Sequence, residues 1–211
     1  MTAAHRQGMS SYQNPSQTPL RFFTSDTHFG HARILELSAR PFPTVSAMNV
    51  AIVDRAYAAG ITDADELWVL GDLAMGDFAE SMKWAAALPG IKHLVVGNHE
   101  KHFDEPKQHR FDRYEQAYVD AGFTVHHGHV LLEVEGRQVL ASHFPYFGDS
   151  QDNDRHVAAR PEDRGLPLLH GHIHGVRHID GRMFNVGVDV NDFTPVSPER
   201  IAAWLDEVSP R

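Results

Sequence analysis

The stretch ELWVLGD, residues 66–72, decides the fold class of this chain. It is an apolar run that ends abruptly in Gly71 and Asp72, which is typical of a strand buried inside a sheet. RFFTSD (residues 21–26) and KHLVVGN (residues 92–98) have the same form on either side of it. The three runs therefore predict three buried strands in the first half of the chain.

The segments between these strands have the periodicity of helices. FAESMKWAAALPG (residues 78–90) predicts a short helix closed by its Pro-Gly pair. TVSAMNVAIVDRAYAAG (residues 44–60) predicts an amphipathic helix that ends at Gly60. The apolar face of that helix would consist of Val45, Met48, Ile52, Val53, Ala56 and Tyr57. The first half of the chain thus has the pattern β-α-β-α-β, which indicates an α/β fold.

The second half of the chain is richer in strands. A polar helical stretch from Arg110 to Ala121 comes first, and Glu135-Gly136 then marks a hairpin turn. Ser197 and Pro198 open a closing helix as its N-cap and first residue. The predicted elements are the two strands of HVLLEVEGRQVLASH (129–143), the strands LPLLHGH (166–172) and MFNVGVDV (183–190), and the helix SPERIAAWLDEV (197–208).

Length and composition limit the domain organisation and the partners. With 211 residues, 42% of them hydrophobic, the chain can bury one full core, so we expect a single domain over residues 20–211 after a flexible, polar segment of residues 1–19. A formal net charge of −9 argues against nucleic acid or an anionic membrane as the partner. No secretion signal or membrane span is recognisable, so the expected location is the cytoplasm. The oligomeric state is open.

Polar residues follow five consecutive predicted strands. The carboxyl ends of strands gather at one edge of an α/β sheet, where ligands bind. The chain has no cysteine, so a metal site there must use imidazole, carboxylate or amide ligands. The candidate ligands are Asp26, His28, Asp72, Asn98, His143, His172 and His174.

Seven candidate ligands are more than one catalytic metal ion uses, so the sequence predicts two ions. If Asp72 bridges them, each ion has four protein ligands. Such a centre, with ions roughly 3.5 to 4 Å apart, turns a bridging water into a hydroxide nucleophile for an in-line displacement. Two divalent ions less Asp26, Asp72 and one hydroxide leave a charge of about +1, which attracts phosphate esters.

The five polar blocks together resemble the calcineurin-like metallophosphoesterase family. They read Asp-x-His from Asp26, Gly-Asp at Asp72, Gly-Asn-His-Glu around Asn98, a lone His143, and Gly-His-x-His at His172 and His174. The chain is most similar to the short, uncapped bacterial and phage members. The resemblance implies a two-sheet α/β metallophosphoesterase sandwich flanked by helices, and hydrolysis of phosphomonoesters or phosphodiesters.

The resemblance also assigns roles to the candidate residues. It implies that one metal ion is held by Asp26, His28, Asp72 and His174, and the other by Asp72, Asn98, His143 and His172. His99 matches the catalytic histidine of the family. Mixed imidazole and oxygen ligands suit manganese, iron, zinc or nickel, and the sequence does not choose among them.

The stretch HGHIHG, residues 170–175, contains three histidines at alternate positions. We expect Gly171 to allow a tight turn at the strand end, so that His172 and His174 reach neighbouring ions. His170 has no counterpart in the family pattern, and we interpret it as a hydrogen-bonded histidine outside the ligand set.

Several further basic residues have two readings. His31 and Arg40 either contact substrate phosphate, Arg40 through its bidentate fork, or merely flank a helix. We interpret His126, His127 and His129 as strand-surface residues, and His93 as a capping or surface group.

The blocks differ from those of the protein serine/threonine phosphatases. GDLAMGD places Met75 and Gly76 where those enzymes have a supporting Asp and a phosphate-binding Arg. By elimination the expected substrate is a small phosphoester, such as a nucleotide or cyclic nucleotide. A dinucleoside polyphosphate hydrolase and a non-catalytic scaffold that keeps the fold are the alternatives.

Overall fold

Two β-sheets pack face to face and form the body of the molecule. The computed structural model describes residues 19–209, so the N-terminal segment expected to be flexible lies, except for Pro19, outside the described residues. The strands are β1 (Arg21–Thr24), β2 (Glu66–Val69), β3 (Ile91–Val95), β4 (Phe123–His126), β5 (His129–Val134), β6 (Arg137–Ser142), β7 (Leu168–His170), β8 (Ile179–Asp180) and β9 (Met183–Asn185). The α-helices are α1 (Ile34–Leu37), α2 (Val45–Ala58), α3 (Phe78–Ala86), α4 (Gln108–Asp120) and α5 (Pro198–Val208).

The first sheet is parallel and has the order β1-β2-β3-β4. The three predicted strands are confirmed. The β-α-β-α-β pattern missed β4, because its four residues alternate two apolar side chains with Thr124 and His126. Parallel pairing brings the carboxyl ends of all four strands to one edge.

The second sheet is mixed and has the order β5-β6-β7-β9-β8. The predicted hairpin is confirmed, since β5 and β6 are antiparallel and Glu135 and Gly136 both have positive φ, 53° and 72°. The predicted strand 183–190 is wrong beyond Asn185, where the chain turns into a 3-10 helix over Val188–Val190.

Side chains alternate across the first sheet and fill two cores. Phe22 and Leu67 pack with α2 and α3 on the outer face. Phe23 and Trp68 pack against the second sheet and α5. The class predicted from sequence, a two-sheet α/β sandwich flanked by helices, is confirmed.

Local signals set the ends of the helices. The side chains of Thr44, Asp77 and Ser197 accept hydrogen bonds from the first turns of α2, α3 and α5. Gly60 follows α2 with φ of 82°, as predicted. The predicted apolar face of α2 is buried at Met48, whereas Tyr57 is exposed.

The C-terminal part of the chain returns to the first strand. Phe23 and Val196 form an antiparallel bridge, and Ser25 and Gly187 form a parallel one. The segment after β9 therefore lies directly beside the end of β1. Across residues 19–209, no helix has the combined length and apolarity needed to cross a membrane.

Candidate metal centre

The structure brings the seven candidate ligands together at the carboxyl ends of β1, β2, β3, β6 and β7. Ligand atoms of Asp26, His28 and His174 lie within 4.8 Å of one another, and so do those of Asp26, Asp72 and His143. Asn98 and His172 join the same cluster. His143 Nε2 lies 3.0 Å from Asn98 Oδ1, and the backbone amide of His172 donates to Asp26 at 3.0 Å. This cluster could hold metal ions.

Two carboxylates occupy the middle of the cluster. Asp26 belongs to both groups of neighbouring ligand atoms. Asp72 places Oδ2 3.7 Å from His28 Nε2 and Oδ1 3.5 Å from His143 Nε2. Each oxygen of Asp72 therefore faces a different histidine, which is the arrangement of a bridging carboxylate.

His28 supplies a test of whether a cation fits this cluster. The side chain is 1% exposed, and neither ring nitrogen has a hydrogen-bond partner among the described residues. Burial, and then the neighbouring His174, hold the pKa of His28 well below its usual value, so the ring is neutral. A buried, unpartnered imidazole is costly unless something accepts its lone pair, and a metal ion does so. The residues present fit a metal ion.

Charge repulsion within the cluster leads to the same conclusion. Burial, and then the Asp26 carboxylate, raise the pKa of Asp72 well above its ordinary value. A divalent cation between these carboxylates would remove that penalty.

Hydrogen bonds determine which ring nitrogen each histidine presents to the cluster of candidate ligands. His143 Nδ1 lies 2.8 Å from the carbonyl oxygen of Leu70, an acceptor, so Nδ1 carries a proton and Nε2 is the nitrogen that faces the cluster. His174 Nδ1 lies 2.8 Å from Asp189 Oδ2, which leaves Nε2 for the cluster. The pairing with Asp189 raises the pKa of His174 although burial opposes it.

His172 presents the opposite nitrogen. Its Nε2 lies 3.2 Å from Asp149 Oδ2, which leaves Nδ1 with the lone pair. Burial, and then His143, lower the pKa of His172 to about 3. The ring is therefore neutral, as a metal ligand must be.

Five of the seven candidate ligands have left-handed backbone. The φ values are 56° at Asp26, 50° at His28, 54° at Asp72, 70° at His172 and 48° at His174. Such conformations cost of order 1 kcal/mol or more each and concentrate at functional sites. The packing of the surrounding strands must offset this strain at the strand ends, where the candidate ligands gather.

Glycines allow the strand ends to approach one another. A Cβ at Gly97 would lie 2.6 Å from Asp72 Oδ1, and one at Gly71 would lie 2.5 Å from His143 Nδ1. The predicted tight turn follows β7, since the amide of Ile173 donates to the Gly171 carbonyl at 2.9 Å. Gly171 itself does not have positive φ, and a Cβ there would lie 1.9 Å from Ser25 Oγ. The glycine is therefore required for close approach to the end of β1.

Glu100 is a buried residue of the site that sequence reasoning left without a role. Its carboxylate accepts the backbone amides of Gly97 at 2.6 Å, Leu73 at 2.8 Å and Asp72 at 3.0 Å. Burial, and then Asp72, raise its pKa to about 7. Glu100 is the last residue of the Gly-Asn-His-Glu block, and this position is the one feature of the sequence that could have indicated its role. It joins the ends of β2 and β3.

Arg40 and His31 lie at different depths. Arg40 is buried, and its guanidinium donates to Asp189 at 2.8 and 2.9 Å and to the carbonyls of Thr27 and Asp26. Its predicted contact with phosphate stays a prediction, and these protein acceptors occupy it in this structure. His31 is half-buried, with its ring 5.4 Å from that of His28. It lies at the rim of the cluster.

His99 stands at the same rim. Its side chain is 39% exposed, and Nε2 lies 4.0 Å from Asp72 Oδ2. Burial, and then His143, lower the pKa of His99 to about 4.

His170 and His93 are not among the grouped candidate ligands. His170 is buried and its Nδ1 lies 2.9 Å from the Gly171 carbonyl. It also lines a cavity of about 160 Å³ with Phe147, Ile173 and Val176, and none of the seven candidate ligands lines that cavity. His93 is not a surface cap, because its ring stacks on Trp68 with 4.2 Å between centroids.

The other three predicted surface histidines differ in their surroundings. His126 contacts His93 across 3.1 Å, and burial lowers its pKa. His127 pairs with Glu115 at 3.0 Å, whereas His129 is exposed.

Comparison with known proteins finds close relatives in phages. The chain is 34% identical to the Gene 66 protein of Mycobacterium phage L5, over 80% of this chain and 86% of that protein. It is 32% identical to the Gene 66 protein of Mycobacterium phage D29, over 85% of this chain and 93% of that protein. No family model matches. Among solved structures, the protein of unknown function AQ665 from Aquifex aeolicus matches with a TM-score of 0.68 and 25% identity, over 88% of this chain and 98% of that chain.

Proposed function

The chain belongs to the family of the Gene 66 proteins of Mycobacterium phages L5 and D29, and we propose that it is a binuclear metal-dependent phosphoesterase. The substrate would be a small phosphomonoester or phosphodiester. The observation that carries the proposal is the buried cluster of carboxylates and histidines in which His28, among the described residues, has no hydrogen-bond partner for either ring nitrogen. The same blocks resemble the calcineurin-like metallophosphoesterases.

We assign Asp26, His28, Asp72 and His174 to one ion, and Asp72, Asn98, His143 and His172 to the other. The two oxygens of Asp72 face His28 and His143, which supports its role as the bridge. His28 and His174 stack with 5.2 Å between ring centroids, whereas His172 lies 5.1 Å from His143. The two histidines of the Gly-His-x-His block therefore accompany different ligand sets.

Two divalent ions held here would activate a water molecule and neutralise charge on the phosphoryl group. His99 would donate a proton to the departing oxygen from its place at the rim. In the free chain its pKa of about 4 makes the ring neutral at pH 7. A phosphate anion bound beside Nε2 would stabilise the imidazolium and raise that pKa. The backbone amide of His99 donates to Asp72 Oδ1 at 2.9 Å, which fixes where the ring leaves the chain.

Arg40 and His31 differ in whether they are free to contact phosphate. Arg40 is engaged by Asp189 and two carbonyls, so we assign it to holding Asp189 and the end of β1 rather than to substrate. His31 has a buried Nδ1 without a hydrogen-bond partner among the described residues, and it is the better candidate of the two for a phosphate contact.

Metal analysis and an ester panel test the proposal. The purified chain would be loaded with manganese, iron, zinc or nickel and assayed on p-nitrophenyl phosphate, bis-p-nitrophenyl phosphate, cyclic nucleotides and dinucleoside polyphosphates. Two bound ions and saturable hydrolysis support a phosphoesterase, and the panel separates monoesterase, diesterase and dinucleoside polyphosphate hydrolase. Asp154→Asn, on the exposed surface of the same chain, is the matched control for Asp26→Asn. A chain that binds no metal and turns over no ester would instead be a scaffold.

A further inference from the structure

The two histidines of the Gly-His-x-His block are each held by a carboxylate that an arginine holds in turn. On one side the contacts run from His174 to Asp189 and Arg40. On the other side they run from His172 to Asp149 and Arg155. Asp149 belongs to none of the polar blocks, since it lies in the loop after β6.

Several contacts fix the position of the Asp149 carboxylate. Its side chain is fully buried, and Oδ1 accepts from Arg155 Nη2 at 2.6 Å. Oδ2 accepts the backbone amide of Arg155 at 3.0 Å and lies 3.2 Å from His172 Nε2. Arg160, also buried, lies 3.8 Å from Oδ2. Of the five residues between Asp149 and Arg155, the last four, 151–154, are exposed. Besides Asp149, the loop approaches the site through His156, whose ring centroid lies 5.7 Å from that of His172.

We propose that Asp149, fixed by Arg155, is a positioning residue that determines which ring nitrogen His172 offers to a metal ion. This inference rests on the proposed function. Because a carboxylate only accepts, it keeps the proton on Nε2 and the lone pair on Nδ1. Without that acceptor the ring can turn about its Cβ–Cγ bond and present a carbon atom to the centre. The apparent affinity for the ion then falls with the fraction of rings correctly turned.

The coupling works in both directions. If Asp149 strengthens metal binding through His172, metal binding must stabilise the contacts of Asp149 to the same extent. The loop of residues 149–160 should therefore become more ordered when metal is present, although it contributes no ligand itself.

Metal titration tests the role of Asp149 without measuring activity. Manganese alone is titrated calorimetrically into metal-free wild type, Asp149→Ala and the control Asp152→Ala, which removes an exposed carboxylate of the same loop. Alanine is chosen because an asparagine would still offer an oxygen acceptor to His172 Nε2. Asp149→Ala should weaken one of the two binding events by about 10- to 100-fold and leave the other nearly unchanged. Asp152→Ala should leave both unchanged. Equal affinities in wild type and Asp149→Ala would overturn the inference, whereas a wild type that binds no manganese would overturn the proposed function itself.

A second measurement reports on the loop. Amide hydrogen exchange over residues 149–160 should slow when manganese is added to wild type, and should slow less in Asp149→Ala. Thermal unfolding in EDTA shows whether that variant folds. If that variant does not fold, Arg155→Gln is used in its place. This change keeps the Asp149 carboxylate and removes the guanidinium that donates to it. Arg155→Gln should weaken the same binding event, and an unchanged affinity there would count against the inference.

Discussion

The Asp72 carboxylate accepts the backbone amide of His99 at 2.9 Å, which ties the end of β2 directly to the end of β3. The contact is reinforced by Glu100, which accepts the amide of Asp72. A change at Asp72 therefore acts on the proposed bridge and on the position of the proposed acid at once.

Asp72→Asn should lose at least one metal ion and nearly all hydrolysis. An amide is a poor bridge between two cations, and the charge of the centre shifts by one unit. Elemental analysis after gel filtration measures the stoichiometry. Two retained ions with normal turnover would refute the bridging assignment.

His172→Ala and His174→Ala should each weaken a different binding event. His170→Ala should leave the stoichiometry at two and change affinity by about 10- to 100-fold at most, since among the described residues the His170 side chain bonds only to the Gly171 carbonyl. Calorimetric titration with manganese distinguishes the three variants. Loss of a whole ion in His170→Ala would make that histidine a ligand.

His99→Asn should keep both ions and slow the hydrolysis of alkyl esters by about 10²- to 10⁴-fold, the usual contribution of general acid catalysis. Esters of acidic phenols should be spared, because nitrophenolate leaves without a proton. Steady-state rates on methyl and nitrophenyl phosphodiesters measure the contrast. An equal loss on both would assign His99 to the phosphoryl oxygens instead.

Gly171→Ala should destabilise the chain, whereas Gly175→Ala should not. A Cβ at Gly171 would lie 1.9 Å from Ser25 Oγ and 2.4 Å from Asp26 Oδ2, but one at Gly175 would meet nothing within 4 Å. Overpacking of this kind costs about 1–3 kcal/mol. Denaturant unfolding of the metal-free variants provides the comparison, and equal stabilities would show that the strand ends can move apart.

His102 should make the metal-free chain sensitive to acid. It is buried among Phe111, Tyr118 and His127, and burial, and then His127, lower its pKa from 6.5 to about 4. The unfolded chain therefore binds the proton more tightly, so this contribution to stability is full above pH 6.5 and is lost as the pH falls towards 4.

His102→Phe removes this titration. Relative to wild type, the variant should gain at most about 2 kcal/mol at pH 5 compared with pH 8. Urea unfolding in EDTA at both pH values measures the gain, with the exposed His109→Phe as control. A difference between variant and wild type that does not depend on pH would exclude this role for His102.

The sequence predicted the position of the candidate ligands in the fold, but it did not predict the buried carboxylates that hold them in place. An apolar run that stops at a polar residue marks a strand end, and parallel strands bring such ends together whatever the details of the loops. Thus Asp26, Asp72 and His143 could be placed in one cluster before their geometry was known. The fold class followed from the same runs.

The supporting carboxylates could not be found in this way. Glu100 and Asp149 are single acidic residues among polar neighbours, where a solvated charge is the ordinary interpretation. Asp189 lies in the predicted strand MFNVGVDV, where no motif marks it. Their burial depends on contacts with residues distant in sequence, such as Asp189 with Arg40 and Asp149 with His172. The left-handed backbone of the candidate ligands is likewise a property of the assembled sheet edge.

The bridge between Phe23 and Val196 has a consequence for synthesis on the ribosome. The candidate ligands begin at Asp26, but the carboxylate that orients His174 is Asp189, and the strand that carries Asp26 is completed only by Val196. A nascent chain must therefore emerge at least as far as Val196 before the proposed centre can close around metal. A fragment ending before Gly187 should fail to retain manganese during gel filtration, and metallation should follow the emergence of this segment from the ribosome.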